Sequence, residues 1–191
     1  MLFRSSTTPF MIPYGTIVPK GISNLLVPVA VSASHVGYSA LRLEPTWTAL
    51  GHAAGLAAHL ALARNNDTRA ISLPALQRLL HQQKQATIYT SDIPRESPYF
   101  AAVQWAGLHG LLSDIVDYNT AVMVPLKHRY GTQYSFAHAN HAVEPEAKLT
   151  PELKTKWTRR LPCASHIQAE TRGAFLTAAY AACNSETILQ K

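Results

Sequence analysis

The stretch from Asn24 to Leu62 constrains the fold of this chain more than any other part of its sequence. It opens with an apolar run rich in Val and Leu, continues through a turn rich in Ser and Ala, and ends in a long Ala-rich segment. This order predicts a short strand over 24–31, a loop over 32–44 and a helix from Pro45 to about Arg64. The amide groups that begin such a helix have no partner inside it, so the preceding loop can hold an anion there.

Proline residues and charges set the ends of these elements. Pro28 cannot donate to a ladder, so the predicted strand lies at a sheet edge or ends near Pro28. Pro45 stands at the first helical position, where its missing amide hydrogen costs nothing. Glu44 places a negative charge beside the positive end of the helix, and the polar cluster at 65–67 ends that helix.

Four further helices predict a mainly α fold with a few short strands. Ser72 caps the first of them, and leucines give that helix one apolar face that fades by Gln85. Residues 113–148 show no sustained periodicity and are predicted to be irregular. The remaining helices are predicted over 99–110, from Thr150 and Pro151, and over 168–182.

A turn-rich segment at 88–97 predicts a boundary between two domains, 1–87 and 88–191. The helix after Pro45 approaches the length of a membrane span, but His52 and His59 interrupt it. We therefore expect a packed interior helix and no membrane span.

The charge and the cysteines exclude several function classes. The 17 basic residues exceed the 11 acidic ones by six without forming a basic run, so we expect no nucleic-acid partner. Cys163 and Cys183 do not form a CxxC pair, and no metal site is predicted. The two cysteines form one bridge in an oxidising compartment or stay reduced, and the sequence leaves both alternatives and the compartment open.

Three blocks in close succession resemble the C-terminal part of the FAD-dependent oxidoreductase family. The blocks are VPKGISNLLVP, SASHVGYSALRLEPTW and LGHAAGLAA, and with LPALQRLLHQQ they extend over about residues 12–85. In that family this segment is the last strand and last helix of the flavin domain. The resemblance implies that the chain is a C-terminal fragment of an α/β FAD-binding fold, followed by a small helical lobe.

The resemblance implies a flavin and substrate site around the turn before the long helix. His35 is a candidate catalytic residue, as a proton donor or a polar wall of the substrate cavity, and the alternative is a loop histidine bonded to backbone. Arg42 is a candidate cation near the flavin or the substrate, and the alternative is an ion pair with Glu44. The candidate cofactor-binding residues are Ser32, Ser34, Ser39, Arg42, Glu44, Pro45, Thr46, Thr48 and Gly51.

Two interpretations of these candidates are open. The serine and threonine hydroxyl groups either bind flavin or phosphate oxygens or stabilise local turns. Gly51 belongs to a small helix face with Gly55, which lies close to a cofactor or serves helix packing alone.

The FAD-binding half of the family pattern is missing from this sequence. No GxGxxG motif is present, so no phosphate-cradling loop is predicted. We therefore expect FAD to bind only together with an N-terminal FAD-binding domain or partner subunit, and we expect the chain alone to be inactive. The small-molecule substrate is not readable from the sequence.

The segment after residue 87 resembles one S-layer homology repeat. The matching residues are Asp92, Tyr99, Ala102, Gly110, Thr171 and Arg172. The connection between the two halves is longer than in that repeat, and Gly173 replaces the expected acidic residue. The resemblance implies a helical accessory lobe over 88–191. The alternative function is a non-catalytic helical module that binds a cell wall or a protein partner.

Overall fold

The computed structural model describes residues 10–65, 67–116, 121–124, 136–139 and 141–184, the strand residues by their backbone alone. Most of these residues are helical, and two short strands pair with each other. The predicted mainly α fold with a few short strands is therefore confirmed. The described residues divide into an N-terminal unit of residues 11–87 and a C-terminal unit that begins at residue 88 and includes Phe10. Among the described residues, no helix combines the length and the apolar character that crossing a bilayer requires.

The described N-terminal unit contains three α-helices, α1 (His35–Leu41), α2 (Glu44–Ala63) and α3 (Leu73–Gln82), and two short 3₁₀ helices. The two longer helices form where the sequence predicts them. After α2, Asn65 adopts the left-handed conformation (φ 50°) that commonly follows a helix end. Ser72 caps α3, because its hydroxyl accepts a hydrogen bond from the backbone N–H of Ala75 at 3.4 Å.

The segment before α1 corrects two predictions. Residues 24–31 form no strand, since Pro28 has no amide hydrogen to continue a ladder. Residues 32–44 are not all loop, because α1 begins at His35 with the Ser34 side chain as its cap. Two separate backbone hydrogen bonds of 2.8 Å replace the ladder: Val27 N to Ile17 O and Ser32 N to Thr16 O.

The interior of the N-terminal unit is small. It consists of two clusters that together contain ten buried apolar residues, three of them alanines of α2. Leu76 and Leu80 of α3 pack against Ala57 and Ala61 of α2 in one of these clusters. A 77-residue unit that buries so few apolar residues is expected to be only marginally stable by itself.

The C-terminal unit contains α4 (Phe100–Leu108), β1 (Ala121–Val124), β2 (Phe136–Ala139), α5 (Pro151–Arg160) and α6 (Arg172–Cys183). β1 and β2 pair antiparallel, with Ala121 opposite Ala139 and Val124 opposite Phe136. This hairpin corrects the prediction that 113–148 is irregular throughout; residues 117–120, 125–135 and 140 lie outside the described residues.

The three helices of this unit begin and end largely where local sequence predicts. Gly110 follows α4 in the left-handed conformation (φ 73°), and the Thr150 hydroxyl caps α5. α6 begins four residues later than predicted, because the Thr171 hydroxyl accepts a hydrogen bond from Ala174 N and fixes the helix start there.

One large cluster of 20 buried apolar residues forms the core of the C-terminal unit. Trp157 is fully buried and packs on Phe175 with a ring-centroid distance of 5.5 Å. Its indole N–H donates to the Leu111 carbonyl at 2.9 Å, which satisfies the polar end of this buried ring. A disulfide bond joins Cys163 to Cys183.

Candidate functional site

The predicted site residues lie on α1 and on the first two turns of α2. His35 is the first residue of α1, and Arg42 is the residue that ends it. Both side chains are exposed, and within the described residues the Arg42 guanidinium forms no ion pair with Glu44. The backbone N–H of Arg42 donates to the Tyr38 carbonyl at 3.0 Å, so its side chain extends from a defined backbone position.

The N-terminus of α2 is exposed and has no side-chain cap in the described structure. Leu43, the residue before the helix, is 57% exposed, and Glu44 and Pro45 are exposed as well. The Leu43 carbonyl accepts hydrogen bonds from Thr46 N at 3.0 Å and Trp47 N at 3.1 Å. Because Pro45 has no amide hydrogen, Glu44 N–H is the main free backbone donor of this helix end.

Three of the predicted hydroxyl groups already make local hydrogen bonds. Ser34 accepts from Gly37 N at 3.1 Å, which is the turn-stabilising alternative for this residue. Ser39 donates to the His35 carbonyl at 3.1 Å, and Thr48 donates to the Glu44 carbonyl at 2.9 Å. The Ser32 and Thr46 hydroxyl groups make no such bond within the described part of the chain, so they stay available to a ligand.

Gly51 and Gly55 of α2 have no close contact at their Cα hydrogens within the described N-terminal unit. A Cβ atom added at either glycine would meet nothing within 4 Å. Ala54, which lies between the two glycines in the chain, is buried in the core, so packing accounts for part of this small-residue segment. Glycines inside a helix lower its stability, and a close neighbour at Gly51 and Gly55 would offset that loss.

Trp47 is a site feature that the sequence patterns did not indicate. It lies in the first turn of α2, and its indole Nε1 is buried with no hydrogen-bond partner within the described residues. Buried indole N–H groups normally find a partner. A Trp two residues after the predicted helix start at Pro45 was the only available signal for it.

Most of the net positive charge belongs to the same part of the chain, because acidic residues are few there. The first 87 positions contain seven of the 17 Lys and Arg residues and only two of the 11 acidic residues, a net charge of +5. The backbone N–H of Arg69 donates to Asp67 and lowers the pKa of that carboxyl group. The other acidic residue is Glu44, so this part of the chain favours an anionic partner.

A second cluster lies in the C-terminal unit and brings together residues of the predicted repeat. Asp92 accepts hydrogen bonds from Val143 N at 2.9 Å and Glu144 N at 2.7 Å. Arg172 Nη1 donates to the Val143 carbonyl at 3.0 Å and to Glu144 at 3.1 Å. Asp92 and Arg172 thus hold the same backbone turn from two sides.

Tyr99 holds the next residues of this turn. Its hydroxyl donates to the Glu146 carboxylate at 2.8 Å, and this hydrogen bond raises the pKa of Tyr99. Gly173 N donates to the Pro145 carbonyl at 2.7 Å. An open groove of about 550 Å³ lies here, lined by Glu146, Lys148, Leu149, Ala169, Glu170 and Thr171.

Comparison with known proteins gives a match only for the part of the chain that contains α1 and α2. Residues 3–80 match the family model of the FAD dependent oxidoreductases. The match covers less than half of the 191 residues and supports the resemblance drawn from the three sequence blocks. No curated protein and no solved structure matches the chain.

In the described part of the chain, no group of three or more His, Cys, Asp or Glu side chains is placed to hold a metal ion.

Proposed function

We propose that the N-terminal unit is the C-terminal segment of a flavin-dependent oxidoreductase domain. The match of residues 3–80 to that family carries this proposal. The segment completes the isoalloxazine side of an FAD site and part of the substrate cavity. The remaining FAD-binding surface comes from another domain or subunit, because this sequence contains no GxGxxG loop for the pyrophosphate.

The exposed apolar residues of the N-terminal unit support the proposal that another domain or subunit packs against it. Among the described residues, eleven large apolar side chains are exposed, and nine of them belong to this unit although its core is the smaller one. This excess of exposed apolar side chains supports the proposal that another protein surface covers part of the unit. The nine residues are Met11, Ile22, Leu25, Val29, Val36, Tyr38, Leu43, Leu62 and Leu73.

The residues around the α2 N-terminus fit a group that carries negative charge. The helix end is exposed and uncapped in the described structure, and the Glu44 N–H with the positive end of the helix dipole stabilises an adjacent anion. Bound FAD supplies the hydride-accepting ring. The Thr46 hydroxyl and the Arg42 guanidinium would hold the flavin here by hydrogen bonds and charge.

His35 and Arg42 have distinct proposed roles toward the substrate. The exposed His35 imidazole holds or moves a proton at a substrate heteroatom. The Arg42 guanidinium orients an anionic substrate group through two parallel hydrogen bonds or stabilises charge on the flavin. The reaction class is hydride transfer between a carbon donor and the flavin.

Flavin titration tests this proposal. We expect FAD to separate from the purified chain on gel filtration and to co-elute once a Rossmann-type FAD-binding polypeptide of the same family is added. Retention of FAD by the chain alone would contradict the incomplete-site proposal. Failure of FAD to co-elute in any combination would favour a non-catalytic module.

A pair of matched variants tests the site itself. Arg42→Gln removes the cation beside the α2 N-terminus, and Arg64→Gln removes an exposed arginine at the other end of the same helix. We expect Arg42→Gln to bind flavin or substrate about tenfold more weakly, because it loses one charge-assisted hydrogen bond. Arg64→Gln should bind as the wild type does. Equal effects of both variants would remove Arg42 from the site.

We propose a second function for the C-terminal unit, as a helical binding module for a wall polymer or another carbohydrate. Three residues that match the S-layer homology pattern support it: Thr171 lines the groove, Tyr99 donates a hydrogen bond to the groove residue Glu146, and Arg172 follows Thr171 in the chain. Sedimentation of the chain with purified cell-wall fragments tests this function. Lys148→Gln removes a charged side chain that lines the groove and leaves the α6 cap intact, so it should weaken sedimentation, whereas the exposed Lys156→Gln should not.

A further inference from the structure

The Cys163–Cys183 bond is the only disulfide that this chain can form within itself, because the sequence contains no other cysteine. The two Cα atoms are 5.7 Å apart, a separation typical of bonded cysteines. Cys163 lies in a 3₁₀ turn at Pro162–Ala164, and Cys183 is the last residue of α6. The bond therefore joins the end of a helix to the turn that packs beside it.

The surroundings of the bond are those of a structural cross-link. Cys183 is 6% exposed and belongs to the large apolar cluster, and Cys163 is half-buried and packs against the same cluster. A reactive cysteine pair normally lies exposed beside positive charge, and this pair is surrounded by apolar side chains. The bond closes a loop with a sequence separation of 20, so it restricts the unfolded chain.

The bond fixes α6 at the end opposite the Asp92–Arg172 cluster. At its N-terminal end, Arg172 and Gly173 bind the turn at 143–147 through side-chain and backbone hydrogen bonds. At its C-terminal end, Cys183 is bonded to the turn after α5. α6 also packs along α4, so its position determines the core of the whole C-terminal unit.

We infer that the C-terminal unit matures in an oxidising compartment, outside the cytoplasm, and that the Cys163–Cys183 bond is required for its stability there. Bond formation breaks two S–H bonds and forms one S–S bond. A protein disulfide of that compartment takes up the two electrons and two protons and becomes a dithiol. This inference is independent of the proposed flavin and wall-binding functions.

Thiol labelling and thermal unfolding test the inference. The chain is produced once with an export signal into a bacterial periplasm and once in a reducing cytoplasm, and each product is alkylated in denaturant without reductant. We expect no alkylation of the exported chain and two alkylated cysteines in the cytoplasmic one. Two free thiols in the exported chain would overturn the inference.

The stability measurement separates a required bond from an incidental one. Reduction of the exported chain should lower the Tm of the C-terminal unit on the order of 10 °C. The variant Cys163→Ser with Cys183→Ala should match the reduced wild type and should not respond to reductant. Where that variant fails to fold, reduction of the wild type alone decides. An unchanged Tm on reduction would overturn the inference.

Discussion

The carboxylate of Asp92 accepts a hydrogen bond from the backbone N–H of Glu144 at 2.7 Å, although 52 positions separate the two residues. The second carboxylate oxygen accepts from Val143 N at 2.9 Å. Glu144 has a positive φ of 51°, a strained conformation for a residue with a side chain. Asp92 therefore stabilises a turn that would be unfavourable without it.

Asp92→Asn should destabilise the C-terminal unit. An amide group can accept from only one of the two backbone N–H groups, and its own N–H groups then face the other. We expect a loss of about 1–3 kcal/mol in the free energy of unfolding, measured with urea. The exposed Glu96→Gln is the matched control and should change stability little. Equal stability of Asp92→Asn and wild type would contradict the role of this carboxylate.

Gly173→Ala should destabilise the same unit for a steric reason. A Cβ atom at this position would lie 2.7 Å from Tyr99 Cε1 and 2.9 Å from Pro145 Cβ. Relief of such overpacking costs about 1–3 kcal/mol. Thermal unfolding of the variant measures the loss. A Tm equal to that of the wild type would show that the turn at Pro145 moves freely.

Gly55→Ala should have the opposite effect in the N-terminal unit. This glycine lies inside α2 with no atom within 4 Å of its added Cβ, so alanine gains helix propensity without a clash. We expect the free chain to be more stable by about 1 kcal/mol, and Gly51→Ala should behave alike. If a partner covers this face, the same variant should bind that partner less tightly. Lower stability of the free chain would mean that the face is already packed.

His81 should make the N-terminal unit sensitive to acid. The side chain is 1% exposed, and burial lowers its pKa from 6.5 to about 4. Its Nε2 lies 2.8 Å from the Thr87 hydroxyl. The unfolded chain therefore binds a proton before the folded chain does, and stability falls as the pH drops from about 6.5 toward about 4.

The expected size follows from that pKa difference. Between pH 7.5 and 4.5, the free energy of unfolding should fall by about 2–3 kcal/mol from this residue. His81→Gln removes the titrating group, and its urea-unfolding midpoint should depend less on pH than that of the wild type. His35→Gln, at an exposed position, is the control and should keep the wild-type pH dependence. An unaltered pH dependence in His81→Gln would exclude His81 as the cause.

Local chemistry made part of this fold predictable. The hydroxyl groups of Ser72 and Thr150 cap helices at the positions that the sequence indicates, because a cap depends on residues within one turn. α1 was missed because it has seven residues and buries only Leu41, too little for an apolar periodicity. The predicted strand at 24–31 was wrong. The prediction gave more weight to the apolar composition of this segment than to the missing backbone donor at Pro28.

Contacts between distant residues were not predictable from one sequence. The pairing of Cys163 with Cys183 depends on the packing of a turn against α6, and the Asp92–Glu144 hydrogen bond depends on a long connection. At the candidate flavin site, sequence indicated the exposed start of α2. It did not indicate that the Leu43 carbonyl takes up the Thr46 and Trp47 amides, since that depends on the local backbone angles.

The attachment of α6 at both ends has a consequence for the order in which this unit opens. A helix that is cross-linked at its last residue and hydrogen-bonded at its first cannot fray from either end, which is how most helices begin to open. Its backbone amides, from the middle of the helix at Ala179 outward, should therefore exchange with deuterium only when the whole unit unfolds. Reduction of the cross-link should turn that global exchange into fraying that starts at Cys183.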